Sequence, residues 1–159
     1  MKKDLNKYLD SLSEKELTQE IIKLYDKFEP VRQYYTMELS DDSEKVLADF
    51  KAQLKKEYFP NRGFGRAGSK ASRKIVSDFK KIAVHKKDVV ELLLYRTEIM
   101  IDFTAAYGDM DEAFYNSLGS GFAEACKLIR QEQLESYFRA YCQELIGKCY
   151  DFGWGCMMI

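Results

Sequence analysis

Residues 89–107 read VVELLLYRTEIMIDFTAAY. This stretch decides the fold. Nineteen residues without proline or glycine, rich in Leu, Ile and Met, predict a long helix rather than a strand. Its apolar residues fall on most sides of a 3.6-residue period, the pattern of a helix surrounded by others. It belongs at the centre of the core, with Asp88 at its start and Gly108 as its C-terminal cap.

Working outward, almost every neighbouring segment reads as an amphipathic helix. Downstream, Asp109 with Glu112 opens a helix with the face Phe114, Leu118, Phe122, Ala125, Cys126 and Ile129. Gly119 and Gly121 inside it predict close backbone packing, since each weakens a helix by about 1 kcal/mol. A last helix shows Leu134, Tyr137, Phe138, Tyr141, Leu145 and Cys149, and Gly153 stops it. Upstream, Ser69 caps a helix with the face Ile75, Val76, Phe79, Ile82 and Ala83. Residues 60–68, PNRGFGRAG, form a Gly-rich internal loop. Before it comes the face Val46, Leu47, Phe50, Leu54 and Tyr58, opened by the Asp41–Glu44 capping pattern and ended by Phe59-Pro60. Pro30 suits the first turn of a short helix carrying Val31, Tyr34, Tyr35 and Leu39. Ser13 and Glu16 form a capping box ahead of the face Leu17, Ile21, Leu24, Tyr25 and Phe28, and Lys3 to Leu12 makes one more helix.

Period-2 stretches are missing. The expectation is one all-α domain over residues 1–159, with about eight helices in antiparallel pairs. Short helices outnumber what a closed four-helix bundle uses, so an irregular, superhelix-like α-α array is expected. No fixed repeat of 30–45 residues is visible.

A chain of 159 residues with 46% hydrophobic and 32% charged residues has the composition of a globular protein able to bury a sizeable core. No apolar run suggests a membrane span and no secretory signal opens the chain, so the four cysteines are expected to be reduced thiols in a cytoplasmic protein. The net charge of −1 is unevenly spread: residues 51–87 carry 12 Lys and Arg against two acids, Glu57 and Asp78. Acids outnumber bases 12 to 8 before that segment and 12 to 5 after it.

The loop sequence GFGRAG matches G-x-G-x-x-G, yet a dinucleotide fingerprint needs a strand before it, and here a helix precedes. What survives is an anion site where the loop meets a helix N-terminus. Arg62, Arg66, Lys70, Arg73 and Lys74 surround that point, and Lys70, Arg73, Lys74 and Lys81 share one side of the helix. Their expected role is binding an acidic protein partner or another polyanion. Nucleic acid is the alternative, weakened by the near-neutral net charge, with Phe59 and Phe64 available to stack on bases. The plainer reading is a solvated basic face paired with the acidic flanks.

Other chemistry finds less support. The single histidine, His85, has no nucleophile motif near it and is read as a turn residue. Cys142, Cys149 and Cys156 recur every seven residues, about 10 Å apart per step on a helix, too far to share a zinc ion. The terminal CMMI has a C-a-a-X shape, but Ile is not a usual last residue. Glu91, Glu98 and Asp102 lie on one side of the central helix, and an enzyme using them is the remaining alternative. A di-metal bundle adds Glu-x-x-His motifs that this chain does not have. Neither a catalytic residue nor a metal ligand nor a cofactor is assigned. Tyr34, Tyr35, Tyr137, Tyr141 and Trp154 are read as ring-bearing groove or core residues.

The segments KDLNKYLDSLSEKELTQEIIKLYDKFEPVRQYY, KKEYFP, AYGDMDEAFYNS and FGWG resemble those of a family of small uncharacterised bacterial proteins. The resemblance covers nearly the whole chain. It implies a bacterial, cytoplasmic, all-helical domain and brings no activity, cofactor or functional residue. It also implies an aromatic-rich continuation past Gly-Trp-Gly, whereas this sequence stops at Ile159. The expectation is a non-enzymatic helical interaction module.

Overall fold

The computed structural model describes residues 1–39, 43–63, 65 and 68–151. Among them lie eight helices and no strand: α1 (Lys2–Asp10), α2 (Glu14–Lys27), α3 (Glu29–Leu39), α4 (Ser43–Tyr58), α5 (Ser69–Ile82), α6 (Lys86–Tyr107), α7 (Glu112–Gln131) and α8 (Glu135–Asp151). The all-α expectation holds. The capping pattern at Asp41 and the stop at Gly153 lie outside the described residues.

Helix α6 is the axis. Its 22 residues span about 33 Å, and twelve are buried. It packs against α4, α5, α7 and α8, which is why its sequence is apolar nearly all round. The α4 face Val46, Leu47, Phe50, Leu54 and Tyr58 is buried against it throughout. Phe50 meets Phe79 of α5 edge-on at 5.1 Å, and Phe59 stacks with Phe103 and Tyr107 of α6 as a core anchor. Removing one such side chain leaves a cavity and costs about 2–5 kcal/mol. No helix is long and apolar enough to cross a membrane among the described residues.

Several local expectations are corrected. Helix α5 starts at Ser69 itself, and its N-cap is Gly68. Helix α6 begins at Lys86 after His85, which leaves Asp88 in the first turn, buried, with one carboxylate oxygen unpartnered. Helix α7 is capped by Asp111, whose carboxylate accepts from the Phe114 N–H at 2.8 Å. Asp109 instead accepts from the Tyr115 hydroxyl. In α8, Phe138, Leu145 and Cys149 are buried, while Tyr137 is exposed with the Lys87 ammonium over its ring.

The largest departure is at the N-terminus. The Ser13–Glu16 capping box forms as expected. The α2 face it opens is not a core face: Ile21, Leu24, Tyr25 and Phe28 are exposed, and neither α1 nor α2 has a buried residue. Helix α2 packs against α3, so its period matches an amphipathic helix whose apolar face no second layer covers among the described residues.

Helix α8 is fastened to α6 by charge. Glu98 accepts from the Tyr141 hydroxyl at 2.5 Å and from the Lys148 ammonium at 2.8 Å. Burial pushes the Glu98 carboxyl up, but the Lys148 and Tyr141 hydrogen bonds outweigh it and hold the group below its ordinary 4.5. A lowered carboxylate stabilises the fold above its unfolded-state pKa, and that contribution disappears as the pH falls through the folded value. Glu98→Gln is therefore expected to cost about 1–2 kcal/mol at pH 7, with the difference from the parent closing as the pH falls below the ordinary 4.5. Urea melts across pH check this.

Candidate functional site

Four helices meet around one side chain. Arg96 of α6 is 2% exposed, and Ser72 of α5, Ser117 of α7 and Tyr58 of α4 are buried beside it. The Arg96 Nε donates to Ser72 Oγ at 2.9 Å. Nη1 donates to the Ser117 carbonyl at 3.2 Å, and Nη2 to Ser117 Oγ at 2.7 Å. Tyr58 donates its hydroxyl to the same Ser72 Oγ at 2.8 Å. All of these acceptors are neutral. Among the described residues, no carboxylate is hydrogen-bonded to Arg96 or paired with it.

A buried guanidinium whose hydrogen-bond acceptors are all neutral is unusual, because burying a charge is costly unless it is paired; the Glu124 carboxylate of α7 supports its charge through space but is itself paired with Lys80. Burial pushes the Arg96 pKa down, and the neighbouring Arg73 charge adds to that. Guanidinium groups start so high that it stays protonated. Burial also pushes the Tyr58 phenol up, so Tyr58 is a neutral donor.

Beside Arg96 lies a cleft of about 240 Å³ between α5 and α7, with Arg73, Ser77 and Lys80 on one wall and Ser120, Gly121 and Glu124 on the other. Lys80 reaches across it to the Glu124 carboxylate. Gly121 makes room for the guanidinium: a Cβ there would come within 2.8 Å of Arg96 Nη1. Gly121 is closely packed, but against the Arg96 side chain rather than against another backbone as expected. Gly119 has nothing within 4 Å of its Cβ position, so the same expectation fails there.

Of the residues singled out from sequence, Arg73 lines this cleft, and Arg62, Lys70 and Lys74 do not. Arg62 and Lys70 are exposed. Lys74 and Lys81 converge on the carboxylate of Asp78, and their two hydrogen bonds hold it below the usual range. Arg66 and Phe64 lie outside the described residues, as do Trp154 and Cys156. Gly65 has a packing role: a Cβ there would fall 1.9 Å from the Tyr58 carbonyl oxygen. Gly65 thus allows the chain to pass close against the end of α4. His85 is the exposed N-cap residue of α6.

The acidic stripe of α6 is engaged in ion pairs. Glu91 pairs with Lys51 of α4, and Glu98 and Asp102 pair with Lys148 of α8. Among the described residues, no cluster of three or more His, Cys, Asp or Glu is placed to hold a metal ion. Sequence reasoning missed Arg96, though a signal was there: a single base inside the apolar run LLLYRTEIM.

The arrangement defines an all-α domain built round one central helix, with a small cationic cleft on one flank. The chain belongs to a family of unknown function, DUF6155, whose model matches residues 1–157. No curated protein and no solved structure matches it.

The two glycines of α7 give opposite expectations. Gly119→Ala removes a helix-interior glycine where space is open and should raise stability by about 0.5–1 kcal/mol. Gly121→Ala must displace a buried, hydrogen-bonded guanidinium and should lower it by about 1–3 kcal/mol. Thermal melts of the two variants check both signs.

Proposed function

We propose that this protein is a non-catalytic binding module of the bacterial cytoplasm whose α5–α6–α7 cleft receives one oxyanion group, phosphate or carboxylate, carried by a partner protein. The observation that carries the reading is Arg96: a buried guanidinium with only neutral acceptors, facing a cleft that also holds Arg73 and Lys80. An incoming anion gains charge-assisted hydrogen bonds there and adds to the one carboxylate, Glu124, that the cleft's cations share. The cleft volume has room for a tetrahedral or planar oxyanion.

Tracking a long polyanion has less support. Lys74, Lys80 and Lys81 of α5 are already paired with Asp78 and Glu124, which leaves a broken stripe where nucleic-acid phosphates need a continuous one. An enzyme using the carboxylates of α6 has less still, since each of them has a lysine partner.

The test is a thermal-shift titration with inorganic phosphate against chloride at matched ionic strength. At ten times the dissociation constant, binding adds about 1.4 kcal/mol, or about 3–6 °C for a domain of this size. Arg73→Ala and Arg96→Met should lose the increment, and Glu124→Gln, which frees Lys80, should enlarge it. General stabilisation by phosphate is common to parent and variants, so equal shifts in all four proteins overturn the reading. Tight binding of labelled single-stranded DNA, steeply weakened by salt and abolished in a Lys70→Glu, Lys74→Glu variant, also overturns it, in favour of nucleic acid.

A further inference from the structure

Cys126 and Cys142 are 16 residues apart in sequence and line one cavity between two adjacent helices. Cys126 lies on α7 and Cys142 on α8, the antiparallel helices joined at Glu132–Leu134. Both are half-buried free thiols, and both line one cavity of about 340 Å³ with Ile129, Arg130, Phe138 and Arg139. Buried Ile129 and Phe138 give the cavity an apolar floor, and Arg130, Glu135 and Arg139 surround its mouth.

The pair is asymmetric. The hydrogen bond from Cys142 stabilises a thiolate on Cys126; burial opposes this, and the Arg130 charge adds to it, so that Cys126 is pulled down to about 7. The Arg130 Nε is anchored on the Cys126 carbonyl at 3.4 Å. Cys142, as the donor, is pushed up by that hydrogen bond and by burial. Cys149 is buried and pushed up by burial, and it does not line the cavity.

We propose that Cys126 and Cys142 form a hydroperoxide-reactive dithiol site, with Cys126 as the attacking sulfur and Cys142 as the resolving one. In the first step the Cys126 thiolate attacks a peroxide oxygen. An S–O bond forms, the O–O bond breaks, and hydroxide leaves and takes up a proton as water. In the second step Cys142 sulfur attacks the sulfenic sulfur. An S–S bond forms, the S–O bond breaks, and the departing oxygen leaves as a second water with the Cys142 proton. Two thiols and one hydrogen peroxide give one disulfide and two waters. The sulfurs lose two electrons and the peroxide gains them. Arg130 at the mouth favours the thiolate that the first step consumes. A disulfide here ties α7 to α8 and is reversed by thiols.

The test treats the reduced full chain with hydrogen peroxide, blocks remaining thiols with N-ethylmaleimide and maps tryptic peptides by mass. Lys127, Arg139 and Lys148 let trypsin separate Cys126, Cys142 and Cys149. The expected product is one intramolecular Cys126–Cys142 link, two hydrogens lighter and reversed by dithiothreitol, in the parent and in Cys149→Ser. In Cys142→Ala, which removes both the resolving sulfur and the donor, Cys126 should stop at a sulfenic acid trapped by dimedone, and its alkylation midpoint should rise from about 7 toward the usual 9. In the parent, Cys126 should alkylate at least about tenfold faster than Cys149 at pH 7. Disulfides only between chains, a link to Cys149, or Cys126 reacting no faster than Cys149 with no link formed each overturn the proposal. The peptide map of the parent needs no variant to fold.

Discussion

The guanidinium of Arg96 is the constraint on which the surrounding structure depends. It sits where α4, α5, α6 and α7 converge, and each helix answers it with a side chain or a gap: Tyr58, Ser72, Ser117 and Gly121. An apolar junction would be cheaper, since replacing buried charges by packed hydrocarbon is often neutral or stabilising. What the arginine adds is direction. Its planar fork fixes the angle at which serines from two flanking helices approach, a specification that interchangeable leucines do not provide.

The fold was legible because its cause is local. Period 3.6 runs along nearly the whole chain, and the continuous apolar character of α6 says which helix lies inside. The exposed α2 face was misread because periodicity reports that a helix has an apolar side, not that another element covers it. Ser69 and Asp109 were misread as caps because an N-cap oxygen must reach a particular N–H, and spacing alone does not fix which nearby Ser, Asp or Gly does so.

The site was less legible. Counting bases by segment led to α5, and one of its residues, Arg73, does line the cleft. The charge count gave no sign that Lys74 and Lys81 share Asp78 or that Glu124 from α7 covers Lys80. It also passed over Arg96, which is a lone base in an acidic segment. The Cys126–Cys142 pair was hidden in a similar way. Its spacing is set by a helical hairpin, whereas the seven-residue recurrence of Cys142, Cys149 and Cys156 points along a single helix.

The neutral cradle of Arg96 has a consequence for how such a sequence can drift. Tyr58, Ser72, Arg96, Ser117 and Gly121 share one set of hydrogen bonds and one volume, so their energies do not add independently. A change at any one alters what is tolerable at the others. An alanine at 121 is harmless once the guanidinium is gone, and a lost serine matters less in a chain that has already traded Arg96 for methionine. Positions spread over four helices are thereby bound into one epistatic unit, and substitutions there are accessible mainly as sets.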